Sequence, residues 1–509
     1  MQSNNQMQAK EQKTQAKAAV KPQRSGFKPG SGKQHMQPKQ DKQDKQAKHK
    51  ALPKQQRLPK LPQLPVTSRA AALLVLLQVL EEGAYTNIAV NKYLRLHELS
   101  DVERRLFTEL VYGTVKALGT LDWYLAKCVS RPLEQLDKAV LAVLRLAAYQ
   151  LLYMERIPAS AACNEAVKLT RCVSHEGSAK FVNGVLRGLL RKQEAGELAF
   201  PDEATDDAGY LALKYYHPRW LVKRWLGPWG REGTKRLLAF NNTAAPLCLR
   251  VNTLVTTREE LLAQLAAEGA EVAPSQWSAD GIVCTKLPPV SLTALLAKYK
   301  AHFYVQDESS MLVASVLAPE PGMQVLDLCS APGGKTTHIA QLMQNKGHIM
   351  ACDVHEHKLE LIRENAQRLG ISIIKPVLND GTVQNDDWFR KFDRVLVDAP
   401  CSGMGVLRRR AEARWRKQRQ DLKLFPPLQL EILENAASYV QQGGRLVYST
   451  CTIEQAENHY LIEEFLARHS KWQRVPLTHP LTGESVSELQ LLPQNDAVDG
   501  FYICALERK

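Results

Sequence analysis

The sequence predicts a multidomain chain: an N-terminal all-α bundle, a small α+β module and a C-terminal α/β doubly wound domain. Three observations carry this. From Thr67 to about Leu198 apolar residues recur only at helical spacing, with no period-2 run. Residues about 205–307 mix short strand patterns with helices. From about Ser309, five β-rich runs alternate with helical segments, the pattern of a parallel sheet. The length, 509 residues, suits about three domains at ~150 residues each.

A tail precedes them. Residues 1–66 hold 15 Lys+Arg and 3 Asp+Glu, a net of +12 out of +14 for the chain, so residues 67–509 carry only +2. The tail, rich in Gln, Lys and Pro, lacks the apolar surface to offset ordering entropy and is expected to be disordered. Its sign favours a polyanion such as RNA; a solvating leader is the competing reading. No apolar core follows the basic N-terminus, so no secretory signal is expected. The longest apolar run, Ala71 to Leu80, is far short of the ~20 residues of a membrane span. Ten cysteines are scattered without a CxxC pair, which predicts reduced thiols, a cytoplasmic setting and no metal site.

In the helical segment (67–198), Thr67 or Ser68 caps a first helix ending by Gly83. "VERRLFTELVYGTVK" (Val102 to Lys116), the apolar run from Leu136 to Pro158, "NEAVKLTRCV" and "KFVNGVLRGLLRK" follow as helices. In the mixed segment (205–307), "KYYHPRWLVKRWLGPWG" reads as helical around a turn. Strand, helix, strand, helix, strand come next in "LCLRVNTL", "TREELLAQLAAEGA", "GIVCTKL", "SLTALLAKY" and "HFYVQD". Tyr215, Tyr216, Trp220, Trp225 and Trp229 have the chemistry to stack on RNA bases, although burial tendencies favour core. In the last segment (308–509) the strands are "QVLDL", "HIMACD", "SIIKPVL", "RVLVDAP" and "GRLVYST".

Chemistry concentrates at the ends of those strands. "VLDLCSAPGGKTTHIAQLM" is strand, glycine-bearing loop, helix, which brings backbone close to a ligand. A Walker A loop needs glycine where Cys329 stands, and a dinucleotide fingerprint needs more than Gly333 and Gly334. What remains is an acid, Asp327, and a Pro-Gly-Gly turn, suited to a compact cationic cofactor such as S-adenosylmethionine. Asp353 ends the second strand, where an acid holds a ribose diol; Asp380 and Asp398 follow the third and fourth. Cys401 follows strand four and Cys451 strand five, neighbours in the usual doubly wound order, so the two thiols should meet. A thiolate adding to pyrimidine C6 makes C5 nucleophilic toward a sulfonium methyl group, and a second thiol can aid release. A buried pair without chemistry is the plain alternative.

These motifs resemble the RNA cytosine-C5 methyltransferases: "LDLCSAPGGKT", "ACD", "FDRVLVDAPCSGMG" and "LVYSTCT", with "LRVNTL", "VQDESSMLV" and "DGFYIC". The helical segment resembles the NusB-type RNA-binding domain, a combination found in the bacterial 16S rRNA (cytosine-C5) methyltransferases of the Sun/Fmu type. The resemblance covers about residues 67–509. It implies a NusB-like bundle, an RRM-like module and a Rossmann-like methyltransferase domain. It also implies C5 methylation of a specific cytosine in 16S rRNA, free or in a small-subunit assembly intermediate. Cys451 would be the nucleophile and Cys401 would assist product release. Cys329, Ser330, Ala331, Pro332, Gly333, Gly334, Lys335, Asp353, Asp380 and Asp398 would hold S-adenosylmethionine, with Asp398 facing cytosine as the alternative. In "RRRAEARWRK" (Arg408 to Lys417), Arg408, Arg409, Arg410, Arg414 and Lys417 are expected to face RNA, and Ala411 stands where related chains carry proline. Two rival readings are a catalytically silent RNA-binding or antitermination factor and a cytosine-C5 methyltransferase for another nucleic acid.

Overall fold

A computed structural model describes residues 67–287 and 292–509. The expectations for the basic tail, and for the start of the helix at "SLTALLAKY", lie outside the described residues.

Six helices build the first domain: Ser68–Leu80, Thr86–Leu96, Asp101–Ala126, Lys138–Tyr153, Ala159–Val173 and Glu176–Glu194. Three of their starts are capped by short polar side chains. Thr67 Oγ1 accepts from the Ala70 N–H, Ser100 and Glu103 form a capping box, and Asp137 accepts from Ala139 and Val140. Leu73, Leu76, Phe107, Leu110, Leu144 and Leu186 are solvent-free in the shared core. Thr86–Leu96 is absent from the expected set. Only Thr86, Ala89 and Val90 of its residues are buried, too narrow an apolar stripe to stand out in sequence.

The small domain is an antiparallel sheet in the order β2-β3-β1-β4: β1 (Leu247–Val251), β2 (Glu271–Pro274), β3 (Gly281–Lys286) and β4 (Phe303–Val305). Helices Arg258–Ala267 and Leu292–Lys298 accompany it. β2 is a strand that sequence reading misses, because it is short and mostly exposed. The preceding helices, Asp207–Lys214 and Arg219–Phe240, share their core with Met404, Leu407, Leu422 and Ile453 of the last domain rather than with this sheet. Trp225 is 1% exposed, and Tyr215, Tyr216, Trp220 and Trp229 are partly buried against packed clusters, so these aromatics serve as packing.

The last domain places β5 (Gln324–Asp327), β6 (His348–Asp353), β7 (Ile374–Leu378), β8 (Phe392–Asp398) and β9 (Val440–Thr450) in the parallel order β9-β8-β5-β6-β7. The chain reverses direction of winding between β5 and β8, which makes that gap the ligand crevice of a doubly wound sheet. Beyond it, β10 (Trp472–Arg474), a two-stranded ribbon of β11 (Leu477–Thr478) and β12 (Ser485–Val486), β13 (Leu489–Leu491) and β14 (Phe501–Arg508) complete the chain. β14 runs antiparallel against β9, so the expected parallel sheet is mixed. β13 feeds β14 through a loop too short for a parallel crossover, so those two strands are antiparallel as well. Helices cover both faces: Leu433, Ala436 and Phe465 on one, Val313, Leu317 and Ile339 on the other.

Candidate active site

Where β5 and β8 part, the first loop turns sharply into helix Gly334–Leu342. Gly333 sits at φ +97°, a left-handed conformation that favours glycine, and a Cβ there would lie 3.3 Å from the Ile362 backbone. A Cβ on Gly334 would stand 3.1 Å from the Tyr304 ring. Ser330 is anchored to the Cys352 carbonyl by its N–H and its hydroxyl, both at 2.8 Å. The loop thereby opens a cleft lined by Asp327, Cys329 to Pro332, Gly334, Lys335 and Asp398, closed on the far side by Tyr304 and Gln306.

The donors in this cleft fit S-adenosylmethionine. Asp327 is fully buried; Thr336 donates to its Oδ2 at 2.6 Å, while its Oδ1 has no partner among the described residues. Burial, and then the neighbouring Asp398, push its carboxyl up to about 7. A cationic ligand would satisfy that oxygen. Lys335 donates to Asp398 Oδ2 at 2.6 Å, and Ser449 donates to Oδ1 at 2.9 Å. Asp353, 8% exposed, ends β6 as a ribose-binding acid should, with its Oδ1 taking the His355 N–H at 2.9 Å. Asp380 is different: it lies exposed on the turn after β7, where Thr382 N–H and hydroxyl both donate to its Oδ1. Tyr304 and Arg250 escaped sequence reading. Arg250, fully buried on β1, donates to Gln341 Oε1 and Thr337 Oγ1 at 2.9 Å, and to Gln306 and the Gly334 carbonyl. It rivets the small sheet to the cofactor helix; the "LRVNTL" motif that holds it was the available signal.

The two thiols meet. Cys401 Sγ and Cys451 Sγ are 3.2 Å apart, on loops after adjacent strands whose register pairs Asp398 with Ser449. Their surroundings differ in sign. The hydrogen bond from Cys401, with Arg410 and Lys335 nearby, holds the Cys451 thiol below the ordinary range against the opposing effect of burial. The same bond, burial and the Glu457 carboxylate push Cys401 up. These opposite shifts favour ionisation of Cys451 over Cys401.

A buried polar frame fixes both loops. Glu457 Oε2 accepts from the Ser402 N–H at 2.8 Å and from Gln429 at 2.9 Å; Ser402 and Thr452 hydroxyls bond at 2.7 Å. Asn458 donates to the Thr452 carbonyl at 3.0 Å. The Gly405 N–H donates to the Cys451 carbonyl at 3.1 Å, and the Gly500 N–H to the Gly405 carbonyl at 2.8 Å. A Cβ on Gly405 would fall 2.1 Å from the Gly500 oxygen, which explains glycine in both "CSGMG" and "DGFYIC".

The basic stretch corrects an expectation. Arg414 is 0% exposed and donates to the carbonyls of Tyr216 and Asn241 and to Asn242 Oδ1. Arg408 pairs with the buried Asp499 at 2.6 Å; Arg409 bridges Asp499 and Asp307. Arg408 is sealed within the last domain, and Arg409 and Arg414 tie it to the preceding segment; none forms an RNA surface, because buried carboxylates and carbonyls hold them more firmly than solvent does. Arg410 is exposed, and Lys417 sits 4.5 Å from the Phe425 ring centre. Ala411 is packed in the helical-domain core, where burial rather than proline restrains the loop.

Among the described residues, no three His, Cys, Asp or Glu side chains are grouped to hold a metal, and no helix is long and apolar enough to cross a membrane. The Rossmann-like domain and its cleft define an S-adenosylmethionine-dependent methyltransferase. Comparison with known proteins narrows this. Residues 314–507 match the 16S rRNA methyltransferase RsmB/F family, residues 66–191 the NusB family, and residues 217–291 the ferredoxin-like domain of RsmF/B-like methyltransferases. The chain is 39% identical to the probable ribosomal RNA small subunit methyltransferase B of Bacillus subtilis (strain 168), across 87% of this chain and 98% of that one. It is 34% identical to ribosomal RNA small subunit methyltransferase B of Serratia proteamaculans (strain 568), across 86% and 98%. The crystal structure of PH0851 superposes with a TM-score of 0.76 at 28% identity, covering 87% of this chain and all of that one. The chain belongs to the RsmB/F family of ribosomal RNA small subunit methyltransferases.

Proposed function

We propose that this protein methylates C5 of a specific cytosine in 16S rRNA through a covalent adduct between Cys451 and cytosine C6. The carrying observation is the pair of thiols 3.2 Å apart beside the cofactor cleft, on the loops after adjacent strands. Addition of the Cys451 thiolate to C6 moves an electron pair toward C5. Bound S-adenosylmethionine supplies the electrophilic methyl group that C5 takes. Loss of the C5 proton to solvent water then returns the pair, the C6–S bond breaks, and Cys451 leaves as thiolate. Cys401, the protonated member, assists this release. Asp327 and the Cys329 to Lys335 loop, with Asp353 at the end of β6, would hold the cofactor, and Lys335 keeps the Asp398 carboxylate oriented. The proposed setting is the cytoplasm, with 16S rRNA or a small-subunit assembly intermediate as substrate.

Labelled S-adenosylmethionine and unmodified 16S rRNA test this. Wild type is expected to transfer the label, Cys451→Ala to transfer none, and Cys401→Ala to accumulate a protein–RNA adduct. An adduct with Cys451→Ala and none with Cys401→Ala would reverse the two roles. A wild type that binds RNA but transfers nothing would mark it as a silent binder.

A further inference from the structure

Six cations lie between Arg408 and Lys417, and four are held internally. Arg408 and Arg409 face carboxylates, while Arg414 and Arg416 face carbonyls, the latter those of Val79, Gly83 and Ala84. Arg410 differs. It is exposed, its guanidinium has no hydrogen bond or carboxylate partner among the described residues, and it lies 5.6 Å from the Tyr85 ring centre. Tyr85 comes from the helical domain, in the residue before helix Thr86–Leu96, and is 49% exposed. It is nevertheless firmly mounted. The Thr86 hydroxyl donates to Glu412 Oε2 at 2.7 Å, and Arg416 gathers the carbonyls just upstream. The segment that carries Arg410 therefore also holds Tyr85 in place. The Arg410 backbone N–H bonds the Val406 carbonyl, and the adjoining Gly405 N–H holds the Cys451 carbonyl, each at 3.1 Å, so the segment bearing this aromatic–cation pair is tied directly to the thiol loop.

A target base must leave its stack to reach the thiols, which strips its neighbour of a stacking partner. A rigid aromatic face replaces that partner, and a free guanidinium takes the phosphate between the two nucleotides. We propose that Tyr85 and Arg410 together dock a nucleotide flanking the target cytosine, the base on Tyr85 and the phosphate on Arg410. This rests on the RNA methylation proposed above. The helical domain thus completes the substrate site.

The test uses the full chain and an unmodified 16S rRNA transcript. Tyr85→Ala should raise KM for RNA about tenfold, leaving KM for S-adenosylmethionine and kcat unchanged. Tyr85→Trp should restore KM; Tyr85→Leu, apolar but without a π face, should not. Arg410→Gln should lower the salt slope of RNA binding by about one and shift the acid limb of the pH–rate profile upward. Val102→Ala, 75% exposed on the same domain, is the unchanged control. An unaltered RNA KM in Tyr85→Ala, or rescue by Tyr85→Leu equal to that by Tyr85→Trp, overturns the proposal. If wild type methylates no RNA, the methylation reading fails. The Kd for the same transcript then decides the pair separately: weakened by Tyr85→Ala it stands, unchanged it falls.

Discussion

Asp327 and Asp398 show how far one carboxylate's setting departs from its neighbour's. Asp398 has Lys335 and Ser449 as donors, whereas Asp327 has Thr336 and one oxygen without a partner. With its carboxyl raised to about 7, Asp327 keeps a proton in the folded chain that the unfolded chain loses near pH 4. Its contribution to stability is therefore complete below about pH 4 and is lost as pH rises through 7. A cation in the cleft favours the ionised form, so affinity for S-adenosylmethionine should rise with pH. Titration calorimetry should find Kd falling by up to about tenfold between pH 6 and 8, and Asp327→Asn should abolish that dependence. The cysteines follow the same logic: residue type and spacing pointed to both, but only their neighbours bias which one ionises more readily. Arg410 and Lys335 beside Cys451, and Glu457 beside Cys401, come from separate parts of the chain.

Among elements, the loops after β8 and β9 act as one unit. Gly405 and Gly500 touch backbone to backbone, linking the Cys401 loop, the Cys451 carbonyl and the lead into β14. Gly405→Ala forces a methyl group against the Gly500 carbonyl. Thermal unfolding should show a loss of about 1–3 kcal/mol, and kcat should fall by more than the change in either KM. The glycines were visible in sequence within the motifs "FDRVLVDAPCSGMG" and "DGFYIC". Their mutual contact was not, because it depends on β14 lying antiparallel beside β9. β2 and helix Thr86–Leu96 escaped for a local reason, since few of their residues are buried.

For the whole molecule, the Arg408 to Lys417 segment is the joint. Trp415 donates its indole N–H to the Val115 carbonyl at 2.8 Å and covers Gly119 in helix Asp101–Ala126; a Cβ there would lie 2.4 Å from the Trp415 ring. Gly119→Val should eject Trp415 and loosen the helical domain from the catalytic loops, at about 1–3 kcal/mol. Limited proteolysis should cut the segment faster, and RNA methylation should fall while S-adenosylmethionine binding persists. The sequence by itself determined the three-part architecture and placed Cys401 and Cys451 after neighbouring strands, because each strand and its loop are written in contiguous residues. It misread Arg408, Arg409 and Arg414 as an RNA surface and passed over Arg250, Tyr304 and Tyr85. A cation or an aromatic ring has no fixed role until its partner is known. Asp499, Asp307 and the carbonyls of Tyr216 and Asn241 are such partners, and only folding places them. The tertiary structure alone decided which charges are sealed inside and which are left for a ligand, because burial and pairing set the energy of each.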